Sequence, residues 1–470
     1  MIQISRRSIR TIRTMIRQTL GITSSRRAPA VTFRNPDSGG VLRIQSATAK
    51  AAIEVRLDSL TLDPDSFSIP YQALMSCEGS QEELVHFVRN ENEIIAQWTD
   101  SGIPQSVTFA AGEPVDMPPE TTLTAIEPRF ITAMADAVAT TSAESNRFAL
   151  DCVRLSGSDG QLAASDGSQA ILETGFQFPW SETVLVPASD VFSSREFAAA
   201  EAVKIGRSDD WVTIQTESCT VHLKIEKERR FPDLDLQIPN RGSAATTLAL
   251  AEADVAFLLE SAPRLPAAEE SSAPVTVELN GVVAIRAAAE ASDQITELVL
   301  SNSRRVGEEI LFQTDRTFLC RAVELGFREI QLRSNTAPAC CQDDRRTYLW
   351  ALLDEESVLR ASDQATKISS PPVSDSPPQT KGKSTTMVTT ANSRPVSPRT
   401  STTSTSATAG TNETETNPNL LTQAETLRES LSQALTDVRE LITAIKRNQK
   451  QNRLVESTLR SLKQLEHIGA

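Results

Sequence analysis

The sequence predicts an α+β protein with three tandem domains, each built from antiparallel sheets with two helices, followed by a disordered linker and a C-terminal coiled-coil helix. Three observations support this prediction. A pattern of helix, strands, helix and strands recurs along residues 1–358 with a period of about 120 residues. A stretch rich in serine, threonine and proline comes next, and a regular heptad pattern follows it. The predicted domains cover residues 1–124, 125–244 and 245–358, the linker residues 359–418, and the coiled-coil helix residues 419–467.

Each predicted domain opens with an amphipathic helix and contains a second helix midway. The first helices are "SRRSIRTIRTMIRQTL" from Ser5, "IEPRFITAMADAVATT" from Ile126 and "LAEADVAFLLESAPRL" from Leu250. The second helices are "FSIPYQALMS" from Phe67, "VLVPASDVFS" from Val184 and "ILFQTDRTFL" from Ile310. In two of these, Pro70 and Pro187 suit the first helical position, where the missing N–H of proline costs nothing. Short β-like segments fill the intervals.

The segments after the third domain differ in composition from everything before them. The stretch around residues 368–418 has almost nothing to bury, and we expect it to be disordered. From Leu420 onward, apolar residues alternate in steps of four and three over about six heptads, which is the seam of a coiled coil. We expect this helix to pair with a second helix, from another copy in preference to another protein. A solvated amphipathic helix is the alternative.

Composition excludes several classes of function. The net charge of -14 is unlike that of a basic nucleic-acid binder. Three histidines, His86, His222 and His467, offer little material for metal sites or acid–base chemistry. No P-loop, GxGxxG, HExxH or GxSxG motif is present. The sequence therefore predicts neither enzyme activity nor a cofactor or metal. Six cysteines without a CxxC pair indicate a reducing compartment, and no apolar run is long enough to span a membrane.

The segment "KIEKERRFPDLDLQIP", at residues 224–239, begins as an alternating strand and then changes character. Proline cannot donate to a sheet ladder, so the Phe231-Pro232 pair and Pro239 argue against a central strand. We interpret this segment as a strand that leaves its sheet and becomes a linker between the second and third domains. An ordinary surface loop is the alternative.

Four motifs of the middle domain resemble those of the bacterial DNA sliding clamp, the beta subunit of DNA polymerase III. They are "NRFALDCVRL", "LAASDGSQAIL", "ETVLVPASDVF" and "ERRFPDLDLQIP", and they occur in the family's order. The resemblance implies a ring-shaped homodimer of head-to-tail protomers that encircles duplex DNA without reading its sequence. Such a processivity factor tethers a DNA polymerase, and binds clamp-loader and repair proteins through short peptides. It also implies a cytoplasmic location at the bacterial nucleoid.

A basic stripe in the first helix fits the DNA-binding role. Arg6, Arg10, Arg13 and Arg17 are spaced by four, three and four residues, so they lie along one face of the helix. Such a stripe attracts phosphates without reading bases. Arg26 and Arg27 follow, near the position where the family places a DNA-touching arginine. The same segment also has the arginine-rich, acid-free composition of a mitochondrial transit peptide, which stays an alternative.

The resemblance further implies a groove for partner peptides between the second and third domains. Its expected lining is Leu150, Ser165, Gly167, Ser168, Gln169, Ala170, Pro232, Leu236, Leu349 and Leu352. Where the family carries histidine, arginine and leucine in this turn, the present chain has Ser168, Gln169 and Ala170. We therefore expect standard clamp-binding peptides to bind weakly. An alternative function is a clamp-fold scaffold that does not encircle DNA and acts through the coiled coil.

Overall fold

The computed structural model describes residues 2–372, apart from residues 36–40, 59–64, 144–147, 235–236, 241, 268–271, 290–293 and 355–357. The coiled-coil prediction, and the predicted linker beyond residue 372, lie outside the described residues and stay predictions.

The order strand, helix, four strands, helix, three strands occurs first in residues 2–110, which we call the first repeat. Its elements are β1 (Ile2–Ser5), α1 (Arg6–Leu20), β2 (Val31–Asn35), β3 (Val41–Ala47), β4 (Ala51–Asp58), β5 (Asp65–Ile69), α2 (Tyr71–Cys77), β6 (Leu84–Asn90), β7 (Glu93–Asp100) and β8 (Ile103–Ala110). The long helix α1 begins because the Ser5 hydroxyl accepts the N–H of Ser8 at 3.1 Å. It ends at Gly21, whose φ of 62° is the left-handed conformation that glycine adopts without strain.

The same order recurs in the second repeat, residues 124–224, and, with one additional strand between the two helices, in the third repeat, residues 246–350. The second contains β9 (Thr124–Ile126), α3 (Arg129–Val138), β10 (Cys152–Ser156), β11 (Gln161–Ser165), β12 (Gln169–Glu173), β13 (Thr183–Pro187), α4 (Arg195–Ala198), β14 (Val203–Arg207), β15 (Trp211–Gln215) and β16 (Cys219–Lys224). The third contains β17 (Thr246–Ala249), α5 (Glu252–Ser261), β18 (Pro274–Leu279), β19 (Val283–Ala288), β20 (Ile295–Leu300), β21 (Arg304–Gly307), β22 (Ile310–Asp315), α6 (Arg316–Glu324), β23 (Glu329–Leu332), β24 (Ala339–Gln342) and β25 (Arg346–Trp350). A further strand, β26 (Thr366–Ser369), follows.

The prolines do not occupy the first helical positions that the sequence predicted. Pro70 stands one residue before α2, and Pro187 is the last residue of β13. Between β13 and α4 the chain makes a 3₁₀ turn at Asp190–Ser193, and α4 has only four residues. The predicted helix from Val184 is therefore a strand, a 3₁₀ turn and one short helical turn, because the Ser194 side chain caps a new start at α4.

The described residues form four sheets, and two of these sheets join neighbouring repeats through the same kind of strand pairing, which we call the junction rule. The orders are β1-β6-β7-β8, β5-β2-β3-β4-β16-β15-β14-β9, β13-β10-β11-β12-β25-β24-β23-β17-β21 and β22-β18-β19-β20-β26. In both long sheets, the third strand after the first helix of one repeat pairs antiparallel with the last strand of the next repeat. These junctions are β4–β16 and β12–β25, and each has five residue pairs.

The core includes the beginning of the chain. Ile9, Ile12, Met15 and Ile16 of α1 are buried, as are Ile2 and Ile4 of β1. Burial of such a stripe is the main source of stability for an amphipathic helix. Residues 2–20 are thus part of the folded core, which favours the first-domain helix over the transit-peptide interpretation.

The predicted start of the disordered linker at residue 359 is wrong. Residues 366–369 form β26 beside β20, and Ser370 is only 1% exposed. The reason is a set of hydrogen bonds to distant residues: Ser370 bonds with Asp254, Val299 and Ser301. The local composition of the segment, rich in serine and proline, could not predict hydrogen bonds to residues so far away in the sequence.

The segment between β16 and β17 runs over one face of the β12–β25 junction. Phe231, Leu234 and Ile238 pack there on an apolar cluster contributed by the sheet. The sheet residues of this cluster are Ala163, Ala170, Leu172, Cys340 and Leu349. This segment covers one face of β12, and the main core covers the other face. Every residue of β12 is therefore buried.

Candidate nucleic-acid interface and peptide groove

The exposed face of α1 carries a stripe of three arginines. Arg7, Arg10 and Arg17 are exposed, with Thr14 between them, so the spacing is three, four and three residues. Arg7 forms a surface ion pair with Glu82 at 3.1 Å, with 65% of its side chain exposed. Exposed pairs of this kind are weak, so the Arg7 guanidinium is available to other anions. Arg7 was not among the predicted DNA-binding residues. Its position on the helix, opposite the apolar stripe of Ile9, Ile12 and Ile16, indicates that it is exposed.

Arg6 does not belong to this surface, and its assignment to DNA binding is wrong. Its side chain is 9% exposed and forms ion pairs with Asp100 at 2.9 Å and Glu83 at 3.2 Å. It also donates to the carbonyl oxygens of Cys77 and Glu78 at 3.4 and 3.1 Å. The hydrogen bond that Arg6 donates to Asp100 is the main reason that the pKa of Arg6 is raised. Arg6 lies on the flank of α1 that faces these acceptors, and it holds α1 to the segment after α2.

Arg13 is intermediate between the two cases. It is half-buried and forms an ion pair of 2.5 Å with Glu78. Burial lowers its pKa, but the hydrogen bond and charge of Glu78, together with Tyr71, leave the pKa raised. Arg13 therefore brings little net positive charge to the surface. Arg27, the last residue of the 3₁₀ turn Ser25–Arg27, is exposed, and the side chain of Arg26 lies outside the described residues.

A polar cleft extends the basic stripe towards the second repeat. Arg7, Arg10 and Thr14 of α1 line one wall, and Ser194, Arg195 and Glu196 line the other. Arg195 is exposed. Guanidinium and hydroxyl groups are the side-chain donors that most often contact phosphate and sugar. With three guanidinium groups and one carboxylate, the lining of this cleft has a net positive charge.

The predicted peptide groove coincides in part with the β12–β25 junction. Ala170 and Leu349 face each other as cross-strand partners and share the apolar cluster under Phe231 and Leu234. The Ser165 hydroxyl donates to the Gln169 carbonyl at 2.7 Å and accepts from the Gly167 N–H at 3.0 Å, which fixes the turn.

Gln169 is tied to its neighbours by both ends of its amide. Its Oε1 accepts the Tyr348 hydroxyl at 2.6 Å, and its Nε2 donates to Asp166 at 2.9 Å. Ser168 is exposed, and its carbonyl oxygen accepts the Ala351 N–H at 2.8 Å. The turn thus closes on itself and on β25.

The remaining predicted groove residues are less closely grouped. Leu150 is half-buried, and a Cβ at Gly167 would be 3.7 Å from its Cδ1. Pro232 is half-buried beside Phe231. Leu352 packs on the main core instead of the cluster under Phe231, and Leu236 lies outside the described residues. Phe231 and Leu234 were missed as lining residues, although the Phe-Pro motif pointed to them.

Solved structures with the same architecture include bacterial DNA polymerase III beta subunits, or sliding clamps. The DNA polymerase III beta subunit of Thermotoga maritima matches with a TM-score of 0.61 at 13% identity, over 75% of this chain and 99% of that one. The DnaN sliding clamp of Pseudomonas aeruginosa bound to griselimycin gives 0.60 at 15% identity, over 75% and 99%. The DNA polymerase III beta chain of Streptococcus pneumoniae gives 0.58 at 16% identity, over 75% and 100%.

This chain has the fold of a bacterial DNA sliding clamp. No protein-family model matches its sequence, and no curated protein does. Its clamp fold is thus kept at sequence identities of 13–16% to these three structures.

The clamp fold of this chain carries its exposed positive charge unevenly. Arg129 of α3 is engaged by Glu127 at 2.6 Å and by Glu173, and it stacks on the Phe176 ring. In α6, Arg316 is buried and Arg321 donates to the Asp136 carbonyl at 2.7 Å. Among the described helices, α1 therefore offers the main exposed basic surface.

The thiols of this clamp-fold chain are buried, and their burial raises their pKa values. All six cysteines are free and buried. Burial raises the pKa of Cys77, Cys152 and Cys340 to about 12 and that of Cys320 to about 11. Such thiols stay protonated at neutral pH.

Within the described ranges, no three His, Cys, Asp or Glu side chains converge as a metal site requires. Nor does any described helix have the length and apolar character needed to cross a membrane.

Proposed function

We propose that two copies of this chain close into a ring that encircles duplex DNA and tethers a DNA polymerase or repair enzyme. The observation that carries this proposal is the junction rule. It joins the first repeat to the second through β4 and β16, and the second to the third through β12 and β25. The corresponding strands that are left over are β20 of the third repeat and β8 of the first.

A second copy of the chain can supply the strand that the junction rule requires beside β20 and beside β8. In the described chain β8 has one neighbouring strand, β7, and its residues are mostly exposed. Joining β20 of one copy to β8 of the next gives the strand order β22-β18-β19-β20-β8-β7-β6-β1. This order matches β5-β2-β3-β4-β16-β15-β14-β9 strand for strand. The contact is head to tail, and head-to-tail contacts of this kind close into rings when the rotation allows.

The basic face of α1 supports DNA as the contents of the ring. Arg7, Arg10 and Arg17 are exposed there, while Arg6 is committed to structure. The acidic total charge of -14 is compatible with this surface, because the remaining exposed surface need not contact phosphate. Binding would be independent of base sequence and strongly dependent on salt. The role is mechanical and involves no reaction, cofactor or metal.

Retention on circular DNA tests the proposal. The full chain is assembled on nicked circular plasmid and passed over a gel-filtration column at moderate salt, before and after the plasmid is linearised. We expect retention on circles and loss from linear ends. Equal retention on both forms would contradict encirclement.

A matched pair of variants tests the face that meets DNA. Arg10→Glu with Arg17→Glu reverses two exposed charges on α1, and Lys204→Glu with Lys224→Glu makes the same charge change on exposed strand positions of β14 and β16. We expect the first pair to lower the salt concentration at which circles are lost, and the second to leave it near the parent value. Identical behaviour of the two pairs would mean that α1 does not face the DNA.

We also propose that partner proteins dock by short peptides at the cluster under Phe231 and Leu234. The site lies where the β12–β25 junction and the inter-repeat segment meet. A cytoplasmic location at the nucleoid follows from this role.

A further inference from the structure

The strand β26 covers the edge of β20, the edge that the junction rule assigns to a second copy. Thr366, Lys367, Ile368 and Ser369 pair with residues 296–299 of β20. Among the named strands of the described residues, this is the one parallel pairing, whereas both junctions are antiparallel. The pairing of β26 with β20 therefore differs in direction from the two junctions, although β26 occupies the edge where a junction strand would pair.

One buried residue anchors the strand. The Ser370 hydroxyl donates to Asp254 at 2.6 Å and accepts the Ser301 N–H at 2.8 Å. The Ser301 hydroxyl donates to the Ser370 carbonyl at 2.9 Å, and the Ser370 N–H donates to the Val299 carbonyl at the same distance. These four bonds lie at a residue that is 1% exposed.

The strand itself is held much less firmly than the junction strands. All four residues of β26 are exposed, and Ile368 is 45% exposed. Beyond the backbone ladder, Lys367 contributes an ion pair of 3.4 Å with Glu297. In contrast, Tyr348 and Trp350 of the junction strand β25 are completely buried. A strand that buries almost no apolar surface separates from its sheet more readily than the core strands do.

We propose that β26 is an intrachain strap that occupies the ring-closing edge of β20, and that β8 of a second copy replaces it when the ring closes. The inference rests on the ring proposed above and adds a step to its closure. The N–H and C=O groups of the β20 edge are then paired in the open and closed states alike, which protects a free copy from mispairing with other chains. The strap's own outer edge is short, carries Lys367 and is followed by Pro371 and Pro372, which are features that discourage further pairing.

The experiment that tests the strap compares substitutions at two neighbouring serines in the full chain. Ser370→Asp places a second carboxylate beside buried Asp254 and should release the strap without altering β20, whereas Ser369→Asp adds the same charge at an exposed position. The dimer dissociation constant is measured by sedimentation equilibrium, and hydrogen exchange of residues 366–370 reports whether the strap is docked. We expect Ser370→Asp to lower the dissociation constant by about tenfold or more, because the cost of displacing the strap is removed. Ser369→Asp should change it by less than about twofold.

A milder variant keeps the test valid if Ser370→Asp does not fold. Ser370→Ala removes only the hydroxyl, and should shift both measurements in the same direction by a smaller factor. In the parent chain, residues 366–370 should lose exchange protection when the dimer forms.

Three results would overturn the strap. An unchanged dissociation constant in a variant whose residues 366–370 exchange freely would mean that β26 does not compete with β8. A weaker dimer would make β26 part of the interface. If the parent and all variants stay monomeric, the ring proposal fails together with the strap, and the non-encircling scaffold is favoured. The first two results leave the ring itself intact.

Discussion

Asp254 and Ser370, which are 116 residues apart in the sequence, are joined by a hydrogen bond of 2.6 Å. The same carboxylate accepts the hydroxyl of Ser303 at 2.6 Å and both the backbone and side-chain N–H groups of Asn302, at 3.0 and 2.8 Å. Burial raises the pKa of Asp254, but the hydrogen bonds from Ser303, Ser370 and Asn302 hold it below its usual value. One ionised side chain thus ties together α5, the turn after β20 and the strap.

Replacing Asp254 by alanine should reduce stability because it leaves these donors without their acceptor. Each buried donor without a partner costs about 1–3 kcal/mol, so we expect a loss of at least ~2 kcal/mol in the free energy of unfolding. Asp254→Asn keeps one carbonyl oxygen and should lose less. Denaturant unfolding of both variants is compared with Glu252→Ala, an exposed residue on the same helix. Equal losses for Asp254→Ala and Glu252→Ala would contradict the role of the carboxylate.

Arg316 of the third repeat should be costly to replace. It is 2% exposed and donates to the backbone carbonyl oxygens of Ala262, Leu265, Ala273 and Pro274 at 3.3, 2.6, 3.0 and 3.2 Å, and to that of Pro266. Arg316→Met keeps most of the side-chain length but removes the hydrogen bonds from the guanidinium to these five carbonyl oxygens, so we expect a loss of about 3–5 kcal/mol in denaturant unfolding. The exposed Arg264→Met should change stability by less than about 0.5 kcal/mol. A loss below about 1 kcal/mol for Arg316→Met would show that water replaces the guanidinium.

The clamp architecture could be predicted from the sequence because hydrophobic periodicity records which face of each element is buried. The apolar stripe of α1 and the Phe-Pro motif after β16 are both local patterns with a direct physical meaning. Four motifs in the family's order then indicated one architecture, and the solved clamp structures share it.

The features that sequence reasoning missed depend on contacts between distant residues. Helical spacing placed Arg6 in the basic stripe, but spacing does not reveal that Asp100 and Glu83 meet that flank of the helix. The strap has one apolar residue, Ile368, within a stretch typical of disorder, and its position is decided by Asp254. The positions of Arg6 and of the strap are therefore set by residues that lie far away in the sequence and become neighbours only in the folded chain.

Short peptides that bind bacterial sliding clamps should bind this chain only in the micromolar range or more weakly. The Gln169 amide is engaged by Tyr348 and Asp166, and Ala170 is too small to supply the contact of a leucine. Ser168→His restores one family residue at an exposed position and should tighten binding, measured by fluorescence anisotropy with a labelled peptide. Ser158→His, at another exposed turn, is the control. Nanomolar binding to the parent chain would contradict this prediction.

Acid should weaken the junction between the first two repeats through His222. This residue of β16 lies opposite Ala52 of β4, is 8% exposed and bonds through Nδ1 to the Thr213 hydroxyl at 2.9 Å. Burial lowers its pKa from 6.5 to about 4, with a smaller opposing effect from Glu54. As the pH falls below 6.5, the unfolded chain binds a proton that the folded chain refuses until about pH 4, so stability decreases with pH in this window. The loss from this one group should be about 2 kcal/mol at pH 5. His222→Gln, which cannot take up the proton, should lose correspondingly less stability between pH 7 and pH 5 in denaturant unfolding. Between pH 7 and pH 8 the difference in unfolding free energy between the two proteins should change little, because His222 is then mostly neutral in both states. Parallel stability curves of parent and variant down to pH 5 would rule out His222 as the acid-sensitive group.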